Sequence, residues 1–169
     1  SGPDDQEVEF IELMNISGQP VALQSEAQRQ LSADPSDVVT EMIPWRMSDG
    51  VQLSFASNAW LAAGARLVLV RNAAAFAARF DGVPGGVAVI EWAEGGLNND
   101  GEAVELSLPG DKEWQRDRYW IRMDRVAYAD DGPWPAGADG TGLSLMKTTP
   151  SAYGDDPSAW TAATPTPGW

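Results

Sequence analysis

Cysteine and histidine are both absent from these 169 residues, and each absence removes chemistry. The chain can build no disulfide, no Cys-His or Ser-His-Asp nucleophile and no zinc site of thiolate or imidazole ligands. Carboxylate, Lys, Tyr and Ser groups remain. Positive charge is also scarce: 11 Lys and Arg stand against 25 Asp and Glu, a formal −14. A surface of that sign repels the phosphate backbone whose neutralisation dominates nucleic-acid affinity, so no nucleic-acid partner is expected. No run approaches the ~20 apolar residues that cross a bilayer as a helix, and no membrane-spanning segment is expected.

What is present is enough apolar residue, 43%, for one core of ordinary size. The opening "SGPDDQ" reads as a scar or linker over residues 1–6. One domain is expected over 7–163, and "TPTPGW" at 164–169, short and rich in Pro, reads as an exit linker. "EVEFIELMN" has the β-branched and aromatic composition of a buried strand, and "VALQ", "RLVLV", "GGVAVIEW", "EAVELSL", "WQRDRYWIRMDRVAYA" and "GLSLM" read as further strands separated by Gly, Pro, Asn and Asp turns. In the longest of these, Tyr119, Ile121 and Met123 alternate with Trp120, Arg122 and Asp124, so both faces carry large groups. "NAAAFAARFDG" is the one convincing helix. Asn72 is its N-cap, Phe76 and Phe80 lie one turn apart, and Asp81 and Gly82 end it.

"WRMSDGVQLSF" allows its register to be argued. A three-residue loop of Ser48, Asp49 and Gly50 pairs Met47 with Val51 and Trp45 with Leu53, which collects the apolar side chains on one face. Gly50 then takes the left-handed position. Residues 24–44 are polar and carry Pro35 and Pro44. They read as a surface insertion, with room for a short helix after Asp34 or Ser36. About eight short strands with closely spaced turn signals and one short helix make an antiparallel β-sandwich.

Six phrases in order, "FIELMNISGQPVAL", "WRMSDGVQLSF", "LAAGARLVLVRNAAAFAARF", "GGLNNDGEAVEL", "DGPWPAGADGTGLSL" and "GDDPSAWTAATPTPG", together resemble the lamin tail domain, in the bacterial form found in large exported proteins. The resemblance covers nearly the whole chain. It implies an all-β, immunoglobulin-like antiparallel β-sandwich used as a non-catalytic module for protein interaction, docking or spacing. It also implies an extracellular or cell-surface setting, with other domains of the parent or other surface proteins as partners. Two segments depart from the pattern: residues 24–44 interrupt the usual passage from "VAL" to "W", and "DKEWQRDRYWIRMDRVAY" is longer and more charged than its counterpart.

Two groups of residues are candidate sites. Asp130, Asp131 and Asp139, with Asn98, Asn99 and Asp100 in another loop, could supply the oxygen ligands calcium prefers, but their spacing matches no EF-hand and turn-forming residues exposed to water are the simpler reading. Of the eight Trp residues, Trp45, Trp92, Trp120, Trp134 and Trp160 are accounted for by packing. Trp60 and Trp114 remain as an exposed pair able to stack on sugar rings, which makes a polysaccharide the alternative partner. A glycosidase would need two acids at a defined separation in a cleft, and nothing nominates such a pair: Glu9 and Glu12 sit in an expected strand, and Glu102 and Glu105 flank a turn. In the closing stretch, Asp156 caps a turn beginning at Pro157, and Trp160 and Trp134 fold down as plugs that seal an edge or one end of the sandwich.

Overall fold

The computed structural model describes residues 6–138 and 141–169. Its strands are β1 (Phe10–Met14), β2 (Val21–Ala22), β3 (Gln24–Gln30), β4 (Val38–Pro44), β5 (Arg46–Asp49), β6 (Val51–Ser54), β7 (Trp60–Leu61) and β8 (Arg66–Val70). After helix α1 (Ala73–Phe80) come β9 (Ala88–Glu91), β10 (Glu94–Gly95), β11 (Gly101–Lys112), β12 (Arg118–Ala129), β13 (Ser144–Lys147) and β14 (Trp160–Ala163). The all-β sandwich with one short helix expected from the sequence is the architecture present.

One sheet has the order β1-β8-β9. A seven-stranded second sheet runs β10-β6-β5-β11-β3-β4 with β12 on the far side of β11, and β13-β14 and β2-β7 form two small separate pairs. Ile11, Leu13, Leu67, Leu69 and Ile90 from the first meet Met47, Val51, Leu53, Val104 and Leu106 from the second, with Trp45, Phe55 and Trp92 closing the layer. The opposite face of the small sheet, Phe10, Val68 and Val70, is covered by Phe76 and Phe80 of α1. Strand β8 is therefore apolar on both faces, which is why "RLVLV" reads as a continuous run. Pairing is mostly antiparallel, but β8 and β9 are parallel, as the intervening helix requires. Asn72 caps α1 by accepting from the N–H groups of Ala74 and Ala75, and Asp81 ends it in the left-handed region at φ 55°.

Several expectations are corrected. Residues 24–44 form a two-stranded hairpin, Gln24 to Pro44 through Gln30 to Val38, with no helix after Asp34. Its β3 joins β11 in parallel at Arg29 and Lys112. Paired strands satisfy every second backbone group of so polar a segment, and an isolated turn of helix would leave them to water. The β5–β6 hairpin pairs Met47 with Leu53 and Arg46 with Ser54. Asp49, at φ 71°, takes the left-handed position instead of Gly50. At Gly50 a Cβ would lie 2.5 Å from Cδ of Glu102, so a larger residue there would have to push that side chain aside. The shift of two residues keeps the same face, so Trp45, Met47, Val51 and Phe55 are buried as expected. Finally, the 164–169 tail packs. Pro167 and Gly168 are buried, and the Gly168 N–H donates to Oε2 of Glu12 at 2.7 Å.

Candidate functional site

The two predicted tryptophans are exposed, Trp60 by 65% and Trp114 by 43%, but the fold does not bring them together. Trp60 pairs with Ala22 at the start of the β2–β3 segment. Trp114, in the β11–β12 turn, is held at the other end, where its N–H donates to Oε1 of Gln30. Eight extended residues separate those ends by roughly 25 Å, so one sugar ring cannot stack on both. Trp114 instead borders an open cleft of about 410 Å³ lined by Arg29, Lys112 and Arg116 and also by Glu113 and Asp117. Neither Lys112 nor Arg116 has an ion-pair partner among the described residues.

Asp130 and Asp131 are exposed, and the pairing of Gly101 with Ala129 places them beside the 98–100 loop. The Tyr128 hydroxyl donates to the Asn98 carbonyl at 2.9 Å, and burial pushes its phenol above the ordinary value. Among the described residues no three acidic groups gather as a metal site. Asp139 lies outside the described residues. The acid pairs are occupied structurally. Glu9 accepts from the Leu97 N–H, and Glu12 accepts from Arg66 and Gly168. Glu102 accepts from the Asn98 N–H, and Glu105 from Ser107 Oγ at 2.6 Å and Arg122 Nε at 2.8 Å. Burial raises the Glu9 carboxyl above its usual range, whereas the Ser107 hydroxyl, followed by Arg122, lowers that of Glu105.

The closing segment behaves as a clasp. Asp156 caps the turn Pro157–Ala159 through the Ser158 N–H. Trp134 and Trp160 meet with ring centroids 6.2 Å apart, and the Trp160 indole N–H donates to the Gly154 carbonyl at 2.9 Å. This cluster stands apart from the main core and grips the outer edge of β12. Asp155 accepts from the Ala127 N–H at 2.7 Å and from Arg125 at 2.9 Å. Gly154 lies so close that a Cβ there would overlap the Arg125 carbonyl oxygen. Lys147 reaches Asp124 at 3.1 Å.

The clasp stops at Arg125. From Arg118 to Asp124 the backbone of the outer edge of β12 is bonded to no other strand among the described residues, although the Asp124 carboxylate accepts from Lys147 of β13. The same stretch exposes Tyr119 by 54%, Ile121 by 52% and Met123 by 50%. A register shift between Leu106 and Ser107 re-aims it: Leu106 is opposite Asp124, yet Ser107 is opposite Arg122 and Leu108 opposite Ile121. On the reverse face Arg46 lays its guanidinium 4.0 Å over the Trp120 ring. Arg46 Nε is buried with no hydrogen-bond partner among the described residues.

Lys112, Arg116, Arg118, Arg122 and Arg125 place 5 of the chain's 11 cations in this one hairpin. The sequence shows the unusual length and two-faced bulk of this strand, but not the register shift that leaves three apolar side chains in water. No family model, curated protein or solved structure matches the chain.

Proposed function

We propose that this chain is a non-catalytic docking module which engages an extended segment of another chain along the outer edge of β12. The observation that supports it is the coincidence, over Arg118–Asp124, of unpaired strand backbone with exposed Tyr119, Ile121 and Met123. Free edges are a hazard that proteins cover, twist away or charge; this chain covers its edge only from Arg125 onward. An added strand takes affinity from main-chain hydrogen bonds and specificity from alternate side chains. The lamin tail resemblance agrees with such a role and supports a setting within a secreted or cell-surface bacterial protein. Selection from a library of extended peptides tests it. Enriched peptides should bind wild type and be lost with Ile121→Lys. Peptides that bind both equally, or none at all, would refute the proposal.

A second reading rests on the cleft at Trp114. An exposed indole face beside Lys112 and Arg116 suits an acidic sugar, stacking being combined with charge. Titration with acidic polysaccharides should quench tryptophan fluorescence in wild type and not in Trp114→Ala, while Trp60→Ala behaves as wild type. Equal quenching in all three would remove this reading.

A further inference from the structure

We infer that the occupant of the β12 edge is a second copy of this chain, paired antiparallel about a two-fold axis through Ile121; the inference rests on the docking reading above. Two independent observations select the same register. The first is steric. The free edge begins at Arg118, where the strand leaves its turn, and ends at Asp124, because Gly154 and Asp155 occupy the edge from Arg125 onward. The midpoint of that segment is Ile121. A symmetric pair centred there uses the whole free edge and runs into neither clasp.

The second observation is the charge pattern. A two-fold perpendicular to the sheet matches residues of the same face, so successive registers differ by moving the axis one residue at a time. Centred on Trp120, the pair would set Arg118 opposite Arg122. Centred on Arg122, it would set Arg122 opposite itself. Both set guanidinium groups against each other, and with those groups already paired to Glu41 and Glu105 in each copy neither register gains an opposite charge across the ladder. Centred on Ile121, the pattern Arg118-Tyr119-Trp120-Ile121-Arg122-Met123-Asp124 brings Ile121 to Ile121, Tyr119 to Met123 and Trp120 to Arg122. Arg118 of each copy, paired with its own Glu41, comes level with Asp124 of the other, paired with its own Lys147. The exposed apolar residues of two copies then form one continuous row on one face, and indole and guanidinium groups alternate on the reverse. A chain of net −14 repels its own copies almost everywhere. Over Arg118–Arg125 three Arg stand against the one Asp124, so that repulsion is relieved along this edge.

The absence of native cysteine allows a clean test. In Ile121→Cys the two introduced thiols face each other across the axis, within reach of a disulfide, whose Cβ atoms need to lie ~4 Å apart. In Tyr119→Cys they are offset by four residues, roughly 13 Å along the strand. Mild oxidation should cross-link Ile121→Cys, leave Tyr119→Cys monomeric, and cross-link a mixture of Tyr119→Cys with Met123→Cys. Light scattering should show twice the monomer mass for wild type and the monomer mass for Ile121→Lys, with the β-sheet circular dichroism of Ile121→Lys unchanged. Cross-linking no greater in Ile121→Cys than in Tyr119→Cys, or a monomeric wild type, overturns self-pairing. If library peptides still bind the edge in that event, the docking reading stands without the second copy; if they do not, both fall.

Discussion

Asn15, a buried polar residue, makes five side-chain hydrogen bonds. Its amide donates to the carbonyls of Gln19, Leu61 and Ala62 at 2.8–3.0 Å, and its Oδ1 accepts from the Ser17 N–H and hydroxyl. It thereby ties the end of β1 to the segment after β7. Asn15→Ala should cost about 3 kcal/mol in urea denaturation, because several hydrogen bonds at ~1 kcal/mol each are lost and carbonyls are left dry. Asn15→Asp should do no better above pH 5, since a carboxylate cannot donate to those carbonyls; a wild-type midpoint in either variant would refute this role. From the sequence Asn15 reads only as a strand terminator. The partners that make it a hub lie 46 and 47 residues away, a distance no local pattern encodes.

Glu105 offers a pH test at the same scale. Its folded pKa lies below the ordinary 4.5, so the stability it contributes is fully present above that value and is lost as pH falls through the lowered one. Ser107, fully buried, supplies the leading hydrogen bond. Ser107→Ala should therefore cost about 1 kcal/mol at pH 7 and bring the Glu105 carboxyl closer to its ordinary titration, as followed by carboxyl-carbon NMR. An unchanged Glu105 titration would mean that the hydroxyl is not its main partner.

Among the elements, α1 was fully legible because its cap, its paired Phe residues and its left-handed stop are all local. Asn72→Ala should lower stability by ~1 kcal/mol, and a smaller loss for Asn72→Asp than for Ala would confirm the cap. The β3–β4 hairpin was not legible. Its exposed faces leave little apolar alternation, and it exists as strand because β11 offers an edge and because Arg29 and Arg118 both clamp Glu41, at 2.7 and 3.0 Å. The clasp was legible in part. Asp156, Pro157 and the two Trp residues are where the sequence placed them, but they cover the edge of β12 and do not join the main core. Trp160→Ala should leave the sandwich folded and raise amide exchange at Ala127, whose N–H depends on the position of Asp155. Global unfolding in that variant would show instead that the clasp is part of the core.

Over the whole molecule, opposing carboxyl shifts set the acid response. Glu41, held low first by its bond from Arg29, and Glu105 lose their stabilisation as pH falls below 4.5. Glu9, raised by burial, acts the other way: its charged form is penalised above its raised pKa, and the penalty disappears once pH drops below 4.5. Glu9→Gln should therefore gain stability relative to wild type as pH rises from 4 to 7, because amide and carboxylate both accept from Leu97 and only the carboxylate carries the penalty. A constant difference across that range would contradict the shift. The sandwich, its helix and the cored faces of its strands were readable from alternation and turns. The free edge was not, because it depends on where a register shift and a distant clasp meet on one strand. Amide hydrogen exchange across Arg118–Asp124, measured on the isolated chain and again when saturated with a selected extended peptide, tests the docking edge most directly. The account expects rapid exchange at the outward-facing amides of the free edge and protection concentrated there on binding; protection that falls elsewhere, with this stretch unchanged, would contradict it.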